Sequence, residues 1–381
     1  MLFAKTSKIF IGKREITQVN KELYTVIIGT GCYIPEKVIK NSDFQNHVFY
    51  ELNGTRIEKS TKEITQKFEE ITGIKERRYV TNGLLTSDIS FLAAEQAIES
   101  ASIDKESLDY IICAHNFGDI RPGNRRIDLV PNLAARIKYK LRIKNPKTVA
   151  YDLPFGCPGW LQGLIHADCF IKTGLAKRVM VIGGEILSRV CDPHDRDSMI
   201  YSDGAGATIL EGMYTGGDAG IISHSTRSDT YKHCHLLTME RSNNPDHQGE
   251  DLYLKMHGHS LYKYALKAVP ELIKESIDKA GLSIEDIDRV LLHQANEKMD
   301  VEILKRLFRL YGIKNLSTEF ISHILPMSIS WLGNSSVATI PTLLDLILKN
   351  RMEKYSLSKN DTTIFASVGA GMNANSIVYR F

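Results

Sequence analysis

Residues Tyr151 to Gly174 read YDLPFGCPGWLQGLIHADCFIKTG. An apolar strand-like run ends at a glycine, a cysteine and a proline follow, and a helix-like apolar run begins. Gly156 lets the chain turn sharply, and Pro158 suits a first helical position because the N–H it lacks would have no partner there. Cys157 is thereby predicted to cap a helix. Free backbone N–H groups and the positive end of the helix dipole favour a thiolate at such a place. The thiol is therefore expected to be more acidic than a free cysteine and to serve as a nucleophile. A lone cysteine in an α/β protein is more often a small apolar filler; two flanking glycines and the helix start set Cys157 apart.

The chain repeats this unit. AIESASIDKESLDYIICA (Ala97 to Ala114) aligns without gaps on SIDKAGLSIEDIDRVLLH (Ser276 to His293), with Ile98/Ile277, Ala101/Ala280, Glu106/Glu285 and Asp109/Asp288 identical. Each copy reads as the end of an amphipathic helix, a turn capped at Asp104 or Ser283, and a buried strand. FGCPGWLQGLIHADCFI then has its counterpart in LGNSSVATIPTLLDLIL, and SDGAGATIL at Ser202 has one in SVGAGMNANSIVY at Ser367.

The pattern predicts one α/β unit duplicated and fused. An N-terminal extension covers residues 1–22, a first half 23–215 and a second half 216–381, with the seam near EGMYTGGDAG (Glu211 to Gly220). Cys157 and Asn334 fall at equivalent helix starts, and His293 ends a strand whose counterpart ends in Ala114. The halves differ where reactive groups would meet, so their interface is the expected site. A histidine after RVLL is often a satisfied core residue, yet HQAN lies on the side of an α/β sheet that carries ligands.

Composition excludes several classes. With 43% hydrophobic and 24% charged residues over 381 positions, the chain can bury a sizeable core, and a net charge of +3 is too small to suggest nucleic-acid binding. No apolar run is long enough to span a membrane. The basic start MLFAKTSKIFIGKREITQVNKEL lacks a signal-peptide core, so a cytoplasmic protein is expected. The six cysteines have no framework spacing, and the five other than Cys157 are expected to be buried and reduced. HCH (His233 to His235) has no further ligands at metal spacing, and the GTG at Gly29 to Gly31 is not followed by a third glycine. Neither a metal nor a nucleotide cofactor is expected. DPHDRD (Asp192 to Asp197) reads as an ion-paired loop.

GCPG heading a buried helix, HQAN after an apolar strand, LGNSSVATIP and a closing glycine-rich strand resemble, in this order, the β-ketoacyl-ACP synthase III family of thiolase-fold condensing enzymes. TGIKERRYV (Thr72 to Val80) and SDGAGATIL also match, so the resemblance runs from about Tyr24 to Phe381. It implies a five-layered α/β/α/β/α thiolase fold in two pseudo-symmetric halves, and a homodimer. It further implies that Cys157 takes an acyl group from a thioester, and that His293 and Asn334 hold a malonyl-type thioester whose decarboxylation yields the attacking enolate. A carboxylate at 334 would repel that enolate and favour a protonated histidine. The oxyanion of the acyl-cysteine would be met by the N–H of Cys157 and that of Gly371.

Departures bear on the substrates. Typical acyl-CoA users have a Trp and an Arg where this chain has Lys67 and Ile71, so an acyl carrier protein is favoured over CoA as donor. Met372 replaces an aromatic residue and is expected to reshape the acyl pocket. Segments near Phe44 to Thr65 and Asp229 to Met256 look enlarged, as in secondary-metabolic members such as dialkylresorcinol-forming ketosynthases. A carrier protein is acidic, and Lys298, Lys305 and Arg309 fall on one face of the helix after HQAN, with Arg306 at its edge; they form the expected dock. KYKLRIKNPK (Lys138 to Lys147) is a second basic stretch.

Three rivals remain open. A thiolase-fold acyltransferase could use the same residues with His293 as base. A papain-like cysteine hydrolase shares the order Cys, His, Asn, but carries its cysteine near the mature N-terminus. A non-condensing partner subunit would not be expected to keep all three residues.

Overall fold

The computed structural model describes residues 22–81, 83–215 and 219–381. Most of the N-terminal extension lies outside the described residues. In chain order the first half contains β1 (Glu22–Tyr33), β2 (Lys37–Lys40), α1 (Thr61–Thr72), β3 (Glu76–Tyr79), α2 (Thr86–Ala101) and β4 (Tyr110–His115). It continues through a ribbon, β5 (Asp119–Arg121) and β6 (Asn124–Asp128), to α3 (Leu133–Lys140), β7 (Val149–Pro154), α4 (Gly159–Lys172), β8 (Arg178–Ile186) and β9 (Asp203–Thr215). The second half opens with β10 (Gly220–Ser228), the one-turn α5 (Thr230–His233), a hairpin of β11 (Leu237–Glu240) and β12 (Tyr253–Met256), α6 (Gly258–Lys279) and β13 (Arg289–Leu292). It closes with α7 (Glu297–Leu310), α8 (Thr318–Ile324), α9 (Ile329–Leu332), α10 (Thr339–Leu348), β14 (Thr362–Gly369) and β15 (Asn373–Arg380).

The two main sheets run β1-β9-β8-β4-β7 and β10-β15-β14-β13. β4 and β8 are parallel, as are β13 and β14, while β8/β9 and β14/β15 are antiparallel. The first four strands of one sheet therefore repeat the other, which bears out the duplication. The repeated aspartates do the same work twice. Asp109 accepts from the N–H groups of Lys177 and Arg178 at the start of β8, and Asp288 accepts from that of Thr362 at the start of β14.

Helices α4 and α10 lie between the sheets. A helix pressed from both sides must be apolar nearly all round, and α4 buries Trp160, Leu161, Leu164, Ile165, Ala167 and Ile171. With Leu343, Leu344 and Ile347 of α10 they share one core with Phe365 and Ile377 of the second sheet and Val179 and Val181 of the first. Helices α2 and α3 cover the outer face of the first sheet, and α6 and α7 that of the second, each over its own core. This is the five-layered arrangement.

Glycines set the layer spacing in β8. A Cβ at Gly183 would come within 2.5 Å of the Val337 carbonyl oxygen on one face, and one at Gly184 within 2.0 Å of Ser90 Oγ on the other. Gly29 and Gly31 of the GTG stretch likewise admit the backbone of α2. Helix α7 owes its start to the last residue of HQAN, because Asn296 Oδ1 accepts from the Met299 N–H at 3.1 Å. No helix among the described residues is long and apolar enough to cross a membrane.

Candidate active site

Each central helix is entered through a glycine in the left-handed region, Gly156 at φ 70° and Gly333 at φ 65°. The chain turns abruptly at both, and the next residue, Cys157 or Asn334, faces the other half. Helix α4 begins at Gly159 with Pro158 as its cap, so Cys157 stands one residue before the cap rather than at it. Its loop is seated against the end of β14. A Cβ on Gly369 would lie 2.6 Å from the Cys157 nitrogen, and one on Gly156 would lie 2.9 Å from the Ala370 nitrogen. The expected donor Gly371 is not the residue at this contact. It occupies a tight turn at φ 74°, where its nearest neighbour would be Asn373 and its carbonyl accepts from Thr230 Oγ1 at 3.0 Å. The left-handed turn carries it past the cysteine and leaves Ala370 there.

Cys157, His293 and Asn334 meet around Ser336. The Ser336 hydroxyl donates to Cys157 Sγ at 3.4 Å, and its backbone N–H donates to Asn334 Oδ1 at 2.7 Å. Holding Oδ1 from behind turns the other end of the amide, the Nδ2 donor, away from Ser336. His293, 7% exposed, places Nδ1 3.0 Å from Thr339 Oγ1, and that hydroxyl lies 2.5 Å from the Ser336 carbonyl. Thr339 donates its proton to the Ser336 carbonyl, so in this arrangement Nδ1 of the neutral ring donates to Thr339 Oγ1 and Nε2 carries the lone pair. Burial depresses the His293 pKa to about 4, so the ring is neutral around pH 7.

The expectation of an acidic thiol is corrected. Removal from water pushes the Cys157 pKa up to about 11, with the Ser336 hydroxyl and the residue's own N–H acting the other way and Glu185 adding to the rise. Displaced one residue from the helix cap, in apolar surroundings, the thiol gains less from the dipole than it loses by desolvation. Glu185 is fully buried, and its own pKa is raised by burial to about 7. The backbone and side-chain N–H groups of Asn116 both donate to its Oε2, and Asn116 Nδ2 also donates to Ser336 Oγ at 3.0 Å. Asn116, Glu185, Ser336 and Thr339 were not among the residues singled out from sequence. The repeat carries a trace of three of them, since Asn116 follows Ala114 and Ser336 and Thr339 follow Asn334 within a few residues, whereas Glu185 lies near none of its reactive positions.

A cavity of about 910 Å³ leads from the surface to Asn334. Its apolar wall includes Ile64, Phe68, Ile200, Met256, Leu261 and Met299, and its mouth carries Lys59, Lys67, Arg196, His257 and His259 beside Glu51, Glu63 and Asp197. The enlarged segments thus supply parts of this wall. Lys67 pairs with Glu70 at 3.0 Å, and Ile71 is 44% exposed at the rim. DPHDRD is ion-paired as expected: Lys255 of the β11/β12 hairpin is buried with its Nζ 2.5 Å from Asp192 and 3.3 Å from Asp195, and Arg196 pairs with Glu51 at 3.1 Å. It also frames the mouth, a role the sequence reading did not assign to it.

Other positions settle as follows. On α7, Lys298 and Arg309 are exposed and Lys305 is half-buried, but Glu302 bonds both Arg306 and Arg309 at 3.1 and 3.0 Å, so the basic face is partly neutralised. In the second basic stretch Lys138 is spent on the Asn145 and Thr148 carbonyls and Lys140 on Asp88. Met372 is fully buried, with its carbonyl accepting from the Asp229 N–H at 3.1 Å. Of the five cysteines expected to be buried, Cys32 and Cys113 are, Cys191 and Cys234 are half-buried, and Cys169 on α4 is exposed.

The chain matches the family of 3-oxoacyl-[acyl-carrier-protein (ACP)] synthase III over residues 151–230 and that family's C-terminal region over residues 277–381. It is 31% identical over 360 residues to the β-ketoacyl-[acyl-carrier-protein] synthase III 1 of Vibrio vulnificus (strain YJ016), covering 94% of this chain and 100% of that one. It is 32% identical over 360 residues to β-ketoacyl-[acyl-carrier-protein] synthase III of Clostridium acetobutylicum, covering 93% and 98%. Among solved structures, 3-oxoacyl-[acyl-carrier-protein] synthase III from Aquifex aeolicus VF5 superposes with a TM-score of 0.73 at 28% identity, over 94% of this chain and 100% of that one. With the duplicated fold and the Cys-His-Asn meeting point in place, these likenesses establish that the chain belongs to the β-ketoacyl-acyl-carrier-protein synthase III family.

Proposed function

We propose that this chain joins a Cys157-bound acyl group to a malonyl-type thioester by decarboxylating Claisen condensation. The observation that carries the reading is the convergence of Cys157, His293 and Asn334 on Ser336, with Asn334 lining a largely apolar cavity.

The Cys157 thiolate attacks the acyl thioester, a C–S bond to the enzyme forms, and the carrier thiol leaves with the proton the cysteine gave up. The malonyl thioester then enters. Asn334 Nδ2 donates to the thioester carbonyl, and His293 joins it when its ring proton passes from Nδ1 to Nε2 and Thr339 turns its own proton from the Ser336 carbonyl to Nδ1. Loss of CO2 sends its electron pair toward that carbonyl, and the two donors hold the enolate. A neutral donor pair stabilises developing negative charge without binding the malonate carboxylate, which must depart. The enolate carbon attacks the acyl-cysteine, the C–C bond forms, and the C–S bond breaks. N–H groups of Cys157 and Ala370 are proposed to meet the oxyanion of that step.

The donor is read as an acyl carrier protein. Cations at the mouth suit the phosphate of a pantetheine arm, and Lys298 and Lys305 beside it suit an acidic carrier. Lys67 and Ile71 offer no stacked pair for an adenine. A homodimer in the cytoplasm is part of the same reading: among the described residues β7 pairs only with β4, and Val149, Leu129 and Val130 nearby are 46%, 47% and 87% exposed.

The test is CO2 release from malonyl-carrier in the presence of an acyl donor. CO2 release matched by formation of β-ketoacyl-carrier, both abolished in Cys157→Ala, is the expected result. Acyl transfer to water or an alcohol without CO2 release would replace this reading with simple transfer.

A further inference from the structure

Among the described residues six other than glycine have a positive φ, and of these only Ser336 and Met372 are buried. Ser336 adopts φ 54°, in the left-handed region that a β-carbon disfavours, and it is 4% exposed. Glycine would take that conformation at no steric cost. A serine held there points to work for its hydroxyl.

The direction of the hydrogen bonds is fixed by valence. Asn116 Nδ2 has two protons, one directed at the Glu185 carboxyl and the other at Ser336 Oγ. Ser336 Oγ is thus an acceptor from Asn116, and its own proton is free for Cys157 Sγ at 3.4 Å. A chain of donors runs from β4 across the interface between the halves to the nucleophile, anchored at the carboxyl that ends β8.

We propose that Ser336 is a positioning residue for the nucleophile: its hydroxyl, held as a donor by Asn116, stabilises the Cys157 thiolate, while its backbone N–H orients Asn334 for the second substrate. The inference deepens the condensing reading above and rests on it only for the second role. The titratable groups around the thiol are Glu185 at the end of β8, the buried phenol of Tyr201 ahead of β9 and, across Ser336, His293 at the end of β13. Burial makes the Tyr201 phenol harder to ionise and keeps His293 neutral above pH 5, so Glu185 is the charge that opposes the thiolate around pH 7. In this arrangement Ser336 supplies what the displaced helix end does not.

The test reads the thiol alone, without any acyl donor. Iodoacetamide alkylates the thiolate, sulfur displacing iodide, and the rate at Cys157 is followed by peptide mass against pH in the full chain and its variants. Ser336→Gly removes the hydroxyl and relieves the left-handed backbone; Ser336→Ala removes the hydroxyl and keeps the β-carbon penalty that serine already bears. Both are expected to move the alkylation midpoint upward by about one pH unit, a tenfold loss of thiolate at a given pH. Glu185→Gln keeps an acceptor for Asn116 and removes the charge, and is expected to move the midpoint downward. An unchanged midpoint in Ser336→Gly, with circular dichroism like that of the parent, overturns the proposal, as does an upward shift in Glu185→Gln. Failure here leaves the condensing reading standing, since CO2 release is measured separately.

Discussion

The two halves share a plan and differ where they touch. Ala114, one residue before the end of β4, corresponds to His293, one residue past the end of β13; α4 is entered by Cys157 and α10 by way of Asn334 and Ser336. Strand registers make Glu185 at the end of β8 the counterpart of Gly369 at the end of β14. Gly369 lets the cysteine loop press against the second sheet, whereas Glu185 reaches through Asn116 toward Ser336. Each half thus closes on the other half's helix entrance, once by backbone contact and once by a hydrogen-bonded chain. Duplication supplied two turns that each open on a left-handed glycine; divergence placed Cys157, the proposed nucleophile, after one and Asn334 with Ser336 after the other.

The comparison can be broken most severely at Asn334. Asn334→Asp places a carboxylate beside the developing enolate, and CO2 release from malonyl-carrier is expected to fall by about 10²–10³-fold. Acylation of Cys157 should survive, because the first half-reaction uses the other turn. Equal loss of both steps would deny the division of labour between the halves.

A smaller effect is expected from the packing that joins them. Gly183→Val drives a side chain into the Val337 carbonyl, one residue from Ser336. Overpacking of this kind costs about 1–3 kcal/mol. A lower Tm should appear together with loss of CO2 release. Wild-type activity at reduced stability would show that the Ser336 turn does not depend on the spacing of the layers.

The smallest effect sharpens the contrast between interior and surface. Lys298→Glu with Lys305→Glu should raise the KM for an acyl-carrier substrate on the order of tenfold at low salt, with kcat little changed and the difference shrinking as salt rises. A KM indifferent to both substitutions would move the dock elsewhere.

The architecture was legible because duplication is written twice. Asp109 and Asp288 stand in the same place and staple the same strand pair, and the glycines before Cys157 and Asn334 announce both turns. Cys157, His293 and Asn334 were legible as candidates for the same reason, as positions where otherwise matching copies diverge. The acidity of Cys157 was not. It depends on desolvation by side chains from both halves and on a hydroxyl that follows it by 179 residues, neither of which has a local sequence signal. Gly371 was misplaced for a related cause: a glycine in a GAG stretch can serve a turn or a close approach, and only the fold shows that Gly369 takes the approach and Gly371 the turn. Helix α7 shows the limit for charge. Its basic stripe is visible in sequence, while the sharing of Glu302 by two arginines is a matter of rotamers.

The most direct measurement is the intact-protein mass after incubation with a panel of acyl-carrier and acyl-CoA donors, with the adduct mapped to a peptide. An acyl increment on Cys157, larger with carrier donors than with CoA donors and absent in Cys157→Ala, is the expected result. No increment with any donor, or an increment on another residue, would contradict the assignment of Cys157 as the nucleophile on which the two half-reactions turn.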